Sequence, residues 1–168
     1  MKVILVPVTP FQQNCSIVIC ETTRRVAVVD PGGDIDRIVV EVDRQDVSVE
    51  KILLTHGHLD HCGDAKALAE HYGIEIEGPH REDAFWIDHL PEQTQRFGFA
   101  DAQQAFTPER CLDDGDTVQF GDETMSVHFC PGHTPGLFSQ KHRLAFVGDV
   151  LFAGSIGRTD FPGGNQPI

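Results

Sequence analysis

The stretch Lys51-Ile52-Leu53-Leu54-Thr55-His56-Gly57-His58-Leu59-Asp60-His61 runs from an apolar segment into a cluster of histidines and one aspartate. The apolar part predicts a short buried strand. In an extended loop after it, His56 and His58 would point to the same side, because side chains alternate with period two. Asp60 and His61 would lie near the N-terminus of a following helix, whose positive end favours an ionised Asp and a neutral His. We interpret this cluster as a metal site.

Strands and helices alternate in the first half of the chain, which predicts an α/β fold. We predict strands over Val3–Thr9, Ser16–Glu21, Arg25–Asp30, Lys51–Leu54 and Ile74–Ile76. Between them, one helix carries an apolar stripe of Ile35, Ile38, Val39 and Val42, with Asp34 as its N-cap. A second helix is predicted from about Asp64 to Tyr72, where Gly73 ends it.

The second half begins with residues 81–110, for which the sequence pattern gives a less definite prediction of secondary structure. Glu82–His89 is compatible with a helix, but Pro91, Gly98 and mixed polarity favour a connecting segment over the rest of residues 81–110. Strands return over Thr117–Phe120, Thr124–Cys130 and Leu144–Val147.

Two further candidate ligands follow predicted strands. His133 lies in Cys130-Pro131-Gly132-His133-Thr134-Pro135-Gly136, and Asp149 lies in Phe146-Val147-Gly148-Asp149-Val150. Loops at strand ends are the usual place for functional residues, and metals of the zinc type take four or more donors. We therefore add both residues to the predicted site. The other histidines lack partner spacing, and Cys62 is interpreted as a packed thiol.

Composition narrows the class of protein. The chain has 168 residues, with 40% hydrophobic and 23% charged, which predicts one globular domain over residues 1–168. Its net charge of -13 offers no basic face for nucleic acid, and no apolar stretch is long enough to span a membrane. Five cysteines without a CxxC pair favour a reduced, cytoplasmic setting.

These motifs together resemble the metallo-β-lactamase superfamily, and within it the small glyoxalase II-like (hydroxyacylglutathione hydrolase-like) enzymes. The resemblance covers nearly the whole chain and includes Pro10–Cys15, Val29–Gly33 and Gly157–Pro162. It implies an αββα sandwich with metals at one edge of two sheets. It also implies a ligand set: His56, His58 and His133 for one metal, Asp60 and His61 for a second, and Asp149 as the bridge between them.

The chain departs from the family pattern near its end. Members usually supply one further histidine ligand close to the C-terminus, whereas this sequence has none after His142. The strand after the His133 loop is short, and the final strands and helix of the second half are not evident. We therefore expect a C-terminally truncated chain with an incomplete second half and a second metal position that is short of a donor.

The resemblance implies hydrolysis of a thioester such as S-lactoylglutathione. A hydroxide made available by the metal would attack the acyl carbonyl, and Asp60 would orient it and accept its proton. Arg158 is a candidate to hold a substrate carboxylate through its planar guanidinium, although a structural pair with Asp160 is the alternative. We expect one or two zinc ions, with iron or manganese as other occupants. The expected partner is a small thioester, such as a glutathione conjugate.

Two other functions compete with thioester hydrolysis. A mononuclear Fe(II) oxygenase of the persulfide dioxygenase kind would use His56, His133 and Asp149 and shares the Gly157–Phe161 run. The third hypothesis is a fragment that binds metal but has no enzymatic activity. The sequence leaves oligomeric state open.

Overall fold

The fold is known from a computed structural model, which describes residues 1–99, 103–129 and 136–157, and for residues 136–138 the backbone alone. A five-stranded sheet forms the first half. Its strands, in spatial order, are β1 (Lys2–Val8), β2 (Gln13–Ile19), β3 (Arg25–Val29), β4 (Ser48–Leu53) and β5 (Glu75–Glu77). The pairs β1–β2 and β2–β3 are antiparallel, whereas β3–β4 and β4–β5 are parallel.

Helices make the crossovers that the parallel pairs require. The helical segments are α1 (Ile35–Arg44), α2 (Leu59–Cys62), α3 (Ala65–Tyr72), a 3-10 turn (Arg81–Asp83), α4 (Ala84–Asp88) and α5 (Leu90–Phe97). The predicted apolar stripe of α1 packs on the sheet through Ile38 and Val42, and Gly73 ends α3 with a φ of 66°. No helix in the described ranges is long and apolar enough to cross a membrane.

The second half contributes a smaller antiparallel sheet and a hairpin. The sheet contains β6 (Thr117–Phe120), β7 (Glu123–His128), β8 (Gly136–Ser139) and β9 (Leu144–Phe146), and the hairpin pairs β10 (Leu151–Phe152) with β11 (Ser155–Ile156). The two sheets face each other across a buried core that includes Val18, Leu53, Phe120 and Met125. The described residues thus form helix, sheet and sheet layers, in agreement with the predicted mixed α/β sandwich.

The parallel arrangement determines where the site lies. Val29 of β3 pairs with Leu53 of β4, so both strands end at the same edge of the sheet. Asp30, which follows β3, therefore lies beside Thr55, which follows β4 and precedes His56.

Two local predictions are wrong. Asp34 occupies the N-cap position of α1, but its side chain makes no capping hydrogen bond: its backbone has a φ of 53°, and its carboxylate accepts from the Thr9 N–H at 2.8 Å. The N–H of Ile35 donates to Asp64 Oδ2 at 3.3 Å, so a residue distant in sequence satisfies this end of the helix.

The second error concerns the segment after His89, which forms α5 and not a connecting loop. Pro91 lies in the first turn of α5, where a backbone N–H has no intrahelical acceptor and its loss costs little. Gly98, with a φ of 71°, ends the helix in the left-handed conformation. Pro91 and Gly98, which were expected to interrupt a helix, therefore lie at its start and at its end.

Candidate metal centre

The predicted histidine run is the loop between β4 and α2 and lies at the edge of the first sheet. One donor atom each of His56, His58 and Asp149 lies within 4.8 Å of the other two, a spacing that could hold one metal ion. His56 is fully buried, whereas His58 and Asp149 are partly exposed. Asp149 comes from the segment after β9, so the two halves of the chain meet at this point.

A second group of donors lies beside the first. His61 is buried, and its Nε2 atom is 3.2 Å from Asp149 Oδ1 and 3.7 Å from Asp60 Oδ2. Neither contact has the geometry of a regular hydrogen bond. The imidazole rings of His56 and His61 have centroids 4.0 Å apart. The structure thus brings together the five described residues of the predicted set, and their role as metal ligands stays a prediction.

Asp30 lies beneath this cluster and was missing from the predicted site. Its Oδ2 atom lies 3.0 Å from His61 Nδ1 and accepts a hydrogen bond from the Thr55 hydroxyl at 2.7 Å, while Oδ1 accepts from the Thr55 N–H at 2.8 Å. Because a carboxylate only accepts, the proton in the His61 contact belongs to Nδ1. In the neutral, metal-binding form of His61 the lone pair is then on Nε2, the nitrogen that faces Asp60 and Asp149.

Thr55 imposes the same tautomer on His56. The single hydroxyl proton of Thr55 is given to Asp30, so its oxygen accepts from His56 Nδ1 at 3.0 Å. The lone pair of His56 is then on Nε2. Partners of this kind commonly fix the orientation and tautomer of metal-ligating histidines. Sequence offered one signal for Asp30: it lies at the end of the strand predicted over Arg25–Asp30.

The electrostatics of the cluster favour a cation. Burial lowers the pKa of His61, but the close carboxylates of Asp149, Asp30 and Asp60 outweigh it and raise this pKa to about 10. The pKa of Asp60 is also raised, first by burial and also by the charge of Asp149, with His61 acting against both. Three carboxylates around one buried imidazole require positive charge, from a proton or from a metal that displaces it. The donor set therefore fits a divalent metal.

Two glycines allow the segments to approach this closely. A Cβ on Gly32 would lie 1.6 Å from the carbonyl oxygen of Asp60, so the turn after β3 lies directly against α2. A Cβ on Gly148 would lie 2.6 Å from Thr55 Oγ1 and 3.2 Å from His56 Nδ1. The backbone next to Asp149 thus lies against the residues that orient His56.

Of the three remaining predicted residues, the structure describes only Cys62. His133 and Arg158 lie outside the residues that the structure describes, so their predicted roles stay predictions. Cys62 is fully buried, as its interpretation as a packed thiol requires, and burial raises the pKa of this thiol well above its usual range.

A cleft of about 800 Å³ opens beside the cluster. Asp60, His61 and Asp149 lie on its wall together with residues of β1, β2, β9 and β10. Its volume is within the range of small-molecule sites. Its described lining contains no lysine or arginine, so a substrate anion in this cleft would depend on a bound metal or on residues outside the described ranges.

Comparisons with known proteins agree with this geometry. Residues 8–168 match the family model described as the metallo-beta-lactamase superfamily. The chain is 43% identical to hydroxyacylglutathione hydrolase GloC of Haemophilus influenzae, over 98% of this chain and 79% of that protein.

Solved structures match the fold as well. The BLEG-1 B3 metallo-beta-lactamase is 29% identical and superposes with a TM-score of 0.85, covering 98% of this chain and 79% of that one. TTHA1623, solved in a di-iron-bound form, is 27% identical with a TM-score of 0.84, covering 96% and 79%. The chain therefore belongs to the metallo-beta-lactamase superfamily and is a glyoxalase II-like metallo-hydrolase.

Proposed function

We propose that this chain hydrolyses a thioester of the hydroxyacylglutathione type at the edge of its first sheet. The proposed metal ligands are His56, His58, Asp60, His61, His133 and Asp149. The observation that carries the proposal is the convergence of His56, His58 and Asp149 within 4.8 Å, beside the buried His61. The substrate class rests on the 43% identity to GloC.

The oriented imidazoles are what this chain contributes to metal binding. His56 and His61 each donate their Nδ1 proton to a neighbour, so both present Nε2 without rotation. At His61 the metal would displace the proton that the surrounding carboxylates hold on Nε2. Zinc bound there would act as a Lewis acid and lower the pKa of a water molecule at the site. Because zinc, iron and manganese all accept this donor set, zinc is the part of the proposal that metal analysis decides.

Asp60 is the proposed catalytic residue. Its side chain is 25% exposed and lies 3.7 Å from His61 Nε2. It can therefore reach both the buried donors and the cleft. It would orient the attacking water and take its proton as the new carbon–oxygen bond forms. A thiolate is a good leaving group, so the carbon–sulfur bond breaks with little help from an acid.

Activity towards S-lactoylglutathione tests the proposal. Protein loaded with zinc should release glutathione and lactate, and His56→Ala should abolish turnover while leaving the chain folded. His71→Ala is the matched control, because His71 is exposed on α3. Turnover by His56→Ala at the wild-type rate would refute the proposed site. If the protein binds metal but hydrolyses no thioester, the result would instead support the hypothesis of a metal-binding but inactive fragment.

One observation favours a second candidate, an Fe(II) oxygenase that acts on glutathione persulfide. Two histidines and one carboxylate are the donor set of mononuclear non-haem iron oxygenases, and the closest described triad is of this composition. Metal analysis of protein purified without added metal, followed by oxygen uptake with glutathione persulfide, separates the two. Iron at one ion per chain together with oxygen consumption would select the oxygenase.

A further inference from the structure

The loop that carries His56 and His58, called the metal loop below, packs against α4. Gly57, between the two histidines, has no space for a side chain. A Cβ there would lie 2.8 Å from the carbonyl oxygen of Asp83 and 3.0 Å from the Cβ of Trp86. The position of the loop therefore depends on where α4 lies.

Trp86 of α4 also contacts His58 directly. The indole and imidazole rings have centroids 4.6 Å apart at an interplanar angle of 82°, an edge-to-face arrangement. The chain contains a single tryptophan. Its fluorescence is thus a specific probe of this contact.

A buried amide connects α4 to the residue after His58. Gln93, on α5, is 9% exposed. Its Oε1 atom accepts a hydrogen bond from the Leu59 N–H at 3.1 Å, and its Nε2 atom donates to the Trp86 carbonyl at 2.7 Å. The Leu59 N–H belongs to the first turn of α2, where no intrahelical acceptor exists. Gln93 thus bonds to the N–H of Leu59, at the end of the metal loop, and to the carbonyl of Trp86, on the helix that packs against this loop.

We propose that Gln93 is a positioning residue for the metal loop: by bridging Leu59 and Trp86 it holds His58 in its ligating orientation. This inference rests on the metal site of the proposed function. Neither end of the bridge touches the metal ligands' donor atoms, so the effect of Gln93 is on geometry and not on the charge of the site. Removal of the bridge leaves the buried Leu59 N–H without its acceptor, while the Trp86 carbonyl loses the bond from Gln93 and retains the one from the His89 N–H at 3.2 Å. Relaxation of α2 against α4 would then turn His58 away.

A purely structural role for Gln93 predicts a different result. In that case any change that weakens α5 would affect the metal site equally. Thr94 provides the comparison, because it is 3% exposed on the same helix and its hydroxyl bonds, within the described part of the chain, to the Leu90 carbonyl at 2.8 Å and the Gln103 N–H at 3.3 Å, not to the metal loop. Gln95, exposed on α5, is the control for the substitution itself.

The experiment compares Gln93→Leu, Thr94→Ala and Gln95→Leu with the wild-type chain. Zinc affinity is measured by competition with a chelator, Co(II) geometry by the visible d–d spectrum, and the Trp86–His58 contact by tryptophan fluorescence of metal-free protein. Partners outside the ligand shell typically change metal affinity by ten- to a hundredfold. We expect Gln93→Leu to weaken zinc binding about tenfold and to alter both spectra. Thr94→Ala and Gln95→Leu should leave affinity and spectra at wild-type values.

Gln93→Glu covers the case in which Gln93→Leu does not fold. It retains an acceptor for the Leu59 N–H but cannot donate to the Trp86 carbonyl, so an intermediate loss of affinity is expected. Wild-type affinity and spectra in either folded variant would overturn the positioning role, as would an equal loss in Thr94→Ala. Failure of the wild-type chain itself to bind zinc or cobalt would overturn the proposed metal site and this inference with it.

Discussion

His61 Nδ1 lies 3.0 Å from Asp30 Oδ2, although 31 residues separate the two in sequence. The same carboxylate accepts two hydrogen bonds from Thr55, whose hydroxyl in turn orients His56. One buried side chain therefore sets the tautomers of two proposed ligands.

Asp30→Asn should weaken metal binding more than it changes the fold. The amide retains the size of the carboxylate but removes the charge that holds the Nδ1 proton of His61. We expect zinc affinity to fall about ten- to a hundredfold, measured by chelator competition. Asp36→Asn, an exposed substitution on α1, serves as the control. Equal affinities of wild type and Asp30→Asn would contradict the proposed orientation.

Gly148→Ala should damage the site through a steric clash. The new Cβ would lie 2.6 Å from Thr55 Oγ1, so the hydroxyl must leave either Asp30 or His56. Gly148 has a φ of 49°, and the left-handed backbone itself costs an alanine about 1–2 kcal/mol. Gly154→Ala carries that backbone cost at a φ of 84°, with no atom within 4 Å of the Cβ.

The two alanine variants should therefore differ in metal binding while sharing a loss of stability. Urea unfolding of metal-free protein measures the shared part, and zinc titration measures the part specific to Gly148. If Gly154→Ala reduced zinc affinity as much as Gly148→Ala, the close approach to Thr55 would not explain the effect.

Stability of the metal-free chain should decrease as pH rises from about 4 to about 7 because of Asp83. Burial, with the charge of Glu82, raises the pKa of this carboxyl from 3.8 to about 7, against the effect of the Gly57 N–H. The folded state therefore holds a proton that the unfolded chain has already released. The contribution of protonated Asp83 to the free energy of unfolding is fully present below pH 4 and is lost between pH 4 and 7. Above pH 7 the effect of Asp83 no longer changes with pH, and the total loss has an upper bound on the order of 4 kcal/mol.

Asp83→Asn isolates this contribution, because asparagine cannot titrate. Urea unfolding at pH 5 and pH 8 should show a smaller difference for Asp83→Asn than for the wild-type chain. Asp88→Asn, exposed at the end of α4, should retain the wild-type difference. The same pH dependence in wild type and Asp83→Asn would refute the assignment.

Metal removal should destabilise the chain, because the cation neutralises the carboxylates around His61. A ligand present at a thousand times its Kd stabilises the folded state by about 4 kcal/mol. We expect a chelator to lower the Tm of wild-type protein, and zinc to restore it. In Asp149→Asn, which removes a carboxylate shared by both donor groups, the Tm should respond little to zinc. A Tm shift of wild-type size in that variant would exclude Asp149 as a ligand.

The sequence by itself determined which candidate ligands follow predicted strands. The apolar segment before His56 is continuous, the histidine spacing is local, and Asp149 follows a short apolar run, so each could be read within a window of a few residues. The mixed α/β fold follows from the same local periodicities. The stop at Gly73 was predictable for the same reason, since a left-handed residue ends a helix wherever the helix packs.

Tertiary structure decided which distant groups meet. Asp34 has the residue type of an N-cap, but its carboxylate accepts from the Thr9 N–H, and it is Asp64 that accepts from the first N–H of α1, that of Ile35. The position of Asp30 at a strand end does not say which groups it orients, because Thr55 and His61 lie 25 and 31 residues away. Gln93 has no local signal of its contact with Leu59, which lies 34 residues away. Hydrogen bonds between such residues exist only after β3 and β4 have paired in parallel and α5 has packed against α2. The proposed ligands could therefore be predicted from the chain, whereas the groups that orient them were set by the packing of strands and helices.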